Sequence, residues 1–237
     1  MTPTVVLVHG AFAESSSWSD VADRLVDEGH RVIAYANPLR SVASDAAGLT
    51  ELLRTIDGPI VLAGHSYGGA VMTNVPADAG EIVGLVYVAA FALEAGESPA
   101  DAAGSVPGGT LAETISTVPL PGGGADVYID QDKYHQQFCA DVPERQAQLM
   151  AIGQRPIAEA ALGEGSGDAP LWKTVPSWFI YGELDYNIPA GAHRSMAERA
   201  GSRRTVEISC ASHVVGISHP AETAELILEA VNVSSPA

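Results

Sequence analysis

The chain has 237 residues and a formal net charge of −17, enough length for one domain with a sizeable core and a charge that argues against nucleic acid and anionic membrane surfaces as partners. The opening MTPTVVLVHG has no basic n-region or apolar h-region, and no apolar run approaches bilayer length, so a cytoplasmic protein without membrane contact is expected. Cys139 and Cys210 belong to no C-x-x-C or Cys/His cluster, which argues against metal or redox chemistry and for two reduced, buried thiols.

Residues 4–8 are a β-branched run ending at His9-Gly10 and predict a first buried strand. Residues 17–28 are helix-like and stop at Gly29. Residues 31–35 predict a strand that ends before Asn37-Pro38, and residues 44–56 a helix that stops at Asp57-Gly58-Pro59. Residues 60–63 predict the third strand. Residues 67–77 predict a helix that Pro76 can end early. Strands are expected at 82–90, 177–181 and 205–209, and helices at 190–200 and 221–231. Apolar strands without period-2 alternation, separated by amphipathic helices, imply a parallel sheet covered on both faces. The terminal VNVSSPA reads as a frayed tail.

The stretch from Leu93 to Val175 breaks this alternation. It holds two Gly/Pro-rich segments, then Tyr128, Tyr134, His135, Phe138, Met150 and Trp172 among polar residues, and a helix-compatible run at 142–152. So long an irregular chain is not a plain loop. It is expected to be a cap over the carboxyl edge of the sheet. The core is then 1–92 with 176–237, and the cap or lid insertion is 93–175. Phe12, His135 and Trp172 are the expected pocket residues.

Residues 60–70 read IVLAGHSYGGA: strand, tight turn with a serine at its tip, helix. This is the G-x-S-x-G nucleophile elbow, in which glycines make room for a strained serine. A serine hydroxyl needs a base to take its proton and an acid to orient that base. In this architecture the chain order is serine, acid, histidine. After Ser66, residues 177–181 run into Gly182-Glu183-Leu184-Asp185, and residues 205–209 run into Cys210-Ala211-Ser212-His213. Asp185 is the expected acid, with Glu183 and Glu94 as competitors. His213 is the expected base, with His219 as its rival. His9 and His65 are expected to hydrogen-bond locally in their turns, and His30 and His193 to lie on the surface. Two backbone N–H groups are needed for a developing oxyanion. Tyr67 supplies one, and Ala11 the other, with Phe12 as fallback.

VVLVHGAFAESSSW, GHSYGG, GELDYNIP and the histidine of CASHVVGISHP together resemble the α/β-hydrolase superfamily. The chain is most similar to the branch of plant methylesterases, hydroxynitrile lyases and small bacterial hydrolases. The resemblance implies a Ser66–Asp185–His213 triad, oxyanion N–H groups from Ala11 and Tyr67, and a mostly parallel sheet of about six strands with helices on both faces and a cap insertion. It implies no metal or organic cofactor. A homodimer is an option that such relatives leave open. The lyases place a lysine directly after the catalytic histidine and a threonine after the first-strand histidine; here these positions are Val214 and Gly10. The expected activity is therefore hydrolysis of a small, largely apolar ester through an acyl-enzyme. A lactonase, an amidase, or a receptor that turns its ligand over slowly are the alternatives, and hydroxynitrile lyase is disfavoured.

Overall fold

A computed structural model describes residues 2–234 of the chain. Its frame is a six-stranded sheet built from β1 (Thr4–Val8), β2 (Val32–Tyr35), β3 (Pro59–His65), β4 (Glu81–Val88), and two later strands, Ser177–Gly182 and Arg204–Ile208. Every pairing in this sheet is parallel, as expected. Successive strands are joined through helices: α1 (Ser19–Asp27), α2 (Val42–Leu53) and α3 (Tyr67–Thr73) in the first half of the chain. α3 ends at Thr73, the early end expected from Pro76, whose ring would collide with a helical carbonyl one turn earlier.

The strand residues explain the layering. In β1, Val6 and Val8 pack into one apolar cluster and Val5 and Leu7 into the other, all fully buried. The first cluster takes in Leu49 of α2 and Val71 of α3; the second takes in Leu25 of α1. Both faces being covered, residues 5–8 are apolar at every position.

Residues 93–175 do not join the main sheet. They hold α4 (Pro99–Gly104), then β5 (Ile115–Pro119) and β6 (Ala125–Ile129), then α5 (Gln131–Phe138), α6 (Glu144–Gly153), β7 (Ile157–Ala158) and α7 (Glu159–Gly163). β5, β6 and β7 form a separate antiparallel sheet that the sequence does not announce. β5 is mostly exposed and so has no apolar face to read.

The chain then returns to the main sheet through β8 (Ser177–Gly182), α8 (Ala190–Arg199), β9 (Arg204–Ile208), α9 (Val215–Ser218) and α10 (Pro220–Ser234). The sheet order is β2-β1-β3-β4-β8-β9. Met196 of α8 joins the cluster of α2 and α3, and Ile227 of α10 joins that of α1. α10 extends beyond the expected fraying point: Val231 is buried against the second cluster. Residues 235–237 of VNVSSPA lie outside the described residues. Among the described residues no helix is long and apolar enough to cross a membrane.

The insertion is tied to the frame by polar contacts. The Arg40 guanidinium meets Asp126 at 2.6 Å and donates to the Pro156 carbonyl at 3.0 Å. The Glu164 carboxylate accepts the Val42 and Ala43 N–H groups, at the positive end of α2. Within the insertion, Trp172 donates its indole N–H to the Leu93 carbonyl at 2.9 Å.

Candidate active site

The register of the main sheet places four loops along one edge. Val8 lies beside Gly64, and Gly182 beside Ile208. The loops after β1, β3, β8 and β9 therefore share the carboxyl edge, where parallel sheets build their sites. The non-glycine residues with positive φ mark the same edge. Phe12, Leu39, Ser66, Ala89 and Cys210, with φ of 59°, 61°, 51°, 44° and 60°, each follow the carboxyl end of a main-sheet strand. Such conformations cost about 1–3 kcal/mol each and persist where the surroundings enforce them.

At Ser66 that enforcement is visible. Its carbonyl accepts the Gly69 and Phe91 N–H groups, and its own N–H reaches the Val88 carbonyl. A Cβ at Gly68 would stand 2.3 Å from the Val8 carbonyl oxygen, so only glycine lets the turn pack against β1. α3 begins at the next residue and directs its positive end at the site.

Asp185 lies in the loop after β8 and is buried. One carboxylate oxygen, Oδ1, accepts the N–H groups of Asn187 and Ile188 at 2.8 and 2.9 Å. The other, Oδ2, receives His213 Nδ1 at 2.7 Å. Burial raises the Asp185 carboxyl, but the His213 charge and the hydrogen bonds to it prevail and hold it below the usual carboxylate range. A carboxylate only accepts, so His213 Nδ1 is the donor in this bond. His213 and Ser66 face one cavity of about 300 Å³.

Oδ2 has a second partner. His193 Nε2 stands 3.0 Å from it. The sequence reading puts His193 on the surface, yet it is fully buried on α8. His65 also departs from the expected local role. Its Nε2–H reaches the His213 carbonyl at 3.1 Å, across the site. Burial, helped by the neighbouring His213, pushes its imidazole down to about 3. His9 does bond locally, to the Gly10 carbonyl, and also accepts the Asn37 N–H. His30 is half-buried.

The competing residues are occupied elsewhere. The Glu183 carboxylate accepts the Cys210 N–H. Glu94 pairs with Lys173. His219 bonds Ser218, and its carbonyl accepts the Thr223 N–H at the start of α10. In the loop after β1, the Phe12 N–H donates to the Arg155 carbonyl at 2.9 Å. The Phe12 N–H, the fallback donor, is thus engaged by the inserted segment.

Of the expected pocket residues, Phe12 lines the cavity, with Phe91, Leu111, Ile115, Phe138 and Leu162 among its other walls. His135 does not. Its Nε2–H donates to the Val142 carbonyl at 2.8 Å, and the residue lines a separate surface cleft. Trp172 does not either, because its N–H is fixed on Leu93 and its ring is buried in the core. Cys139 is buried as expected, but Cys210 is exposed, at a positive-φ turn after β9.

The sequence reading misses what α5 does. Tyr134 donates its hydroxyl to the Phe12 carbonyl at 2.8 Å. Gln137 holds the Tyr186 carbonyl and the Asn187 side chain, beside Asp185. Phe138 sets its ring 5.2 Å from that of His213. One helix thus touches the loops carrying Ala11, Asp185 and His213. The only signal in the sequence is its aromatic content.

The profile of the family described as "Alpha/beta hydrolase family" matches residues 5–226. A carbendazim-hydrolysing esterase from Nocardioides sp. (strain SG-4G) is 37% identical over 109 residues, which are 39% of this chain and 44% of that protein. The chain thus matches less than half the length of that relative. Among solved structures, polyneuridine aldehyde esterase superposes with a TM-score of 0.79 at 21% identity, covering 97% of this chain and 99% of the other. A methylesterase from Arabidopsis gives 0.75 at 18% identity, covering 98% and 99%. The expected likeness to the plant methylesterase branch is found at the level of the fold.

Proposed function

The chain belongs to the alpha/beta hydrolase family, and we propose that it is a serine hydrolase acting on carboxylic esters. The observation that carries this reading is the pairing of His213 with Asp185 at 2.7 Å beside a cavity that Ser66 also lines. In this reading Ser66 attacks the ester carbonyl. The bare Nε2 of His213 takes the serine proton and passes it to the departing alkoxide. Asp185 keeps the imidazole in the right tautomer and balances its positive charge. The N–H groups of Ala11 and Tyr67 stabilise the oxyanion. Water then attacks the acyl-enzyme by the same route.

The substrate class follows from the walls. Phe12, Phe91, Leu111, Ile115, Phe138 and Leu162 offer apolar surface. No lysine or arginine lines the cavity among the described residues. A small, neutral, largely apolar ester suits it. Residues 93–175 form the cap in this reading, since Leu111, Ile115, Phe138 and Leu162 come from them. The relatives named esterases support the reaction class.

The test is covalent labelling with a fluorophosphonate, paired with turnover of aryl esters, alkyl esters, lactones and amides. Labelling and ester turnover that both vanish in Ser66→Ala are expected. Turnover that persists in that variant sinks the proposal. Labelling without turnover points to a slow receptor, and preference for lactones or amides moves the reaction class accordingly.

A further inference from the structure

A triad acid ordinarily offers one oxygen to one histidine. Here a single oxygen, Asp185 Oδ2, stands 2.7 Å from His213 Nδ1 and 3.0 Å from His193 Nε2. We propose that His193 is a positioning residue of this site: a neutral second donor that fixes the Asp185 carboxylate and moderates its pull on His213. The proposal rests on Ser66, His213 and Asp185 acting as read above.

The hydrogen-bond inventory of Asp185 supports it. Oδ1 takes two backbone N–H groups and Oδ2 takes two imidazole N–H groups. A carboxylate has about four lone-pair sites, and all are used. Its plane is thereby fixed on both sides. Removal of His193 frees one side.

His193 has little else to do. It lies fully buried on α8 and does not line the substrate cavity. Its other nitrogen, Nδ1, is buried without a hydrogen-bond partner. The ring stacks on Tyr181, with centroids 4.8 Å apart and planes at 15°. The titratable and charged groups around it are Asp185 and His213 from the two loops, Tyr181 of β8, Glu207 of β9, and Arg194 on its own helix. Glu207 is already engaged by the Tyr181 hydroxyl and by Arg194. A proton on Nδ1 would therefore find no acceptor, which keeps His193 neutral and its Nε2–H on Asp185.

The energetic consequence has a definite sign. Two donors on one oxygen draw on the same negative charge. Without His193, Oδ2 turns more of that charge toward His213 and favours its cationic form. The base would then lose its proton only at higher pH.

Three forms of the full chain separate this from simple packing: wild type, His193→Gln and His193→Phe. Glutamine retains an N–H that can reach Oδ2. Phenylalanine retains the stack on Tyr181 and removes the donor. The first readout is the low-field proton resonance of His213 Nδ1–H, which needs no substrate. The second is the pH profile of kcat/KM on an activated aryl ester. In His193→Gln the resonance and the acid limb stay in place, and kcat stays within about threefold. In His193→Phe the resonance moves downfield, and the acid limb moves up by about half a pH unit. There kcat falls about tenfold at unchanged KM, because the orientation of the base is loosened while the cavity is untouched.

An unmoved resonance and acid limb in His193→Phe overturn the proposal. So does a His193→Gln variant that shifts as far as the phenylalanine one. If His193→Phe does not fold, the glutamine form decides: an unmoved resonance supports the donor role and a moved one refutes it. A wild type that neither hydrolyses esters nor takes the fluorophosphonate defeats the ester reading instead, while the resonance comparison still decides the place of His193.

Discussion

The Tyr134 hydroxyl donates to the Phe12 carbonyl at 2.8 Å, while the Phe12 N–H donates to the Arg155 carbonyl at 2.9 Å. Phe12 is thus gripped from both sides by the inserted segment, in a backbone conformation, φ 59°, that a phenylalanine rarely adopts. Its neighbour Ala11 is the proposed oxyanion donor. Order in the inserted segment is therefore coupled to order in the loop that would receive negative charge.

Tyr134→Phe tests that coupling. The hydroxyl is removed and the buried ring is kept. The Phe12 carbonyl then lacks its side-chain donor, at a cost of about 1–3 kcal/mol. Part of that loss is expected in the oxyanion loop, as a kcat reduced about tenfold with a smaller change in KM. Steady-state kinetics together with urea unfolding check it. A variant less stable but fully active would show that the grip serves folding alone.

Ser66, Asp185 and His213 are legible in the sequence because each follows an apolar run, and a run that ends at a turn already states which edge of the sheet it reaches. His193 is not legible. The segment AGAHRSMAER carries several polar residues, and nothing in the string says which one turns inward toward the β8 loop. The hairpin of β5 and β6 is hidden for another reason. Pro119 closes one strand and Gly123 and Gly124, both at positive φ, make the turn, so the segment reads as loop. His135 and Trp172 show the limit of composition: their character suggests a pocket, but a carbonyl partner fixes each one away from it.

Trp172 accordingly bears on stability and not on specificity. Trp172→Phe removes the hydrogen bond to Leu93 and part of a buried ring. A loss of about 1–3 kcal/mol in unfolding free energy is expected, with the preference among ester chain lengths unchanged. Phe138→Ala is the contrast, since Phe138 lines the cavity and touches His213. It is expected to alter the chain-length preference. The same panel of esters, run on both variants, checks the difference.

Stability is expected to fall on mild acidification. Burial lowers His9 to about 4 and His65 to about 3, from an ordinary 6.5. Between those values the unfolded chain binds both protons and the folded chain binds neither. The stabilisation is present in full above 6.5 and is lost as pH falls through that window toward 4 and 3. The combined slope reaches about 2–3 kcal/mol per pH unit. Urea unfolding between about pH 5 and 7 measures it. His65→Gln, which keeps a donor for the His213 carbonyl, should lower the slope by about 1.4 kcal/mol per pH unit, and an unchanged slope would assign the protons elsewhere.

The last prediction concerns the two positions at which the chain departs from the hydroxynitrile lyases it resembles. Val214 is buried directly after His213, where a lysine would balance a cyanide leaving group. A mandelonitrile should therefore be cleaved no faster by wild type than by Ser66→Ala, while an activated aryl ester is hydrolysed by wild type alone. Gly10 adds a steric argument. A Cβ there would stand 2.6 Å from the Ser66 Cβ and 2.8 Å from the His65 carbonyl oxygen. Threonine at this position must displace the strained serine turn, so Gly10→Thr should lose ester hydrolysis by about a hundredfold or more without gaining cyanide release. Val214→Lys places a buried cation among apolar neighbours and should reduce stability by about 3 kcal/mol or more. Neither change alone builds a lyase, because the serine turn and its surroundings are packed for glycine at position 10. Cyanide release from wild type at a rate comparable to ester hydrolysis would refute the claim that these two positions exclude lyase chemistry.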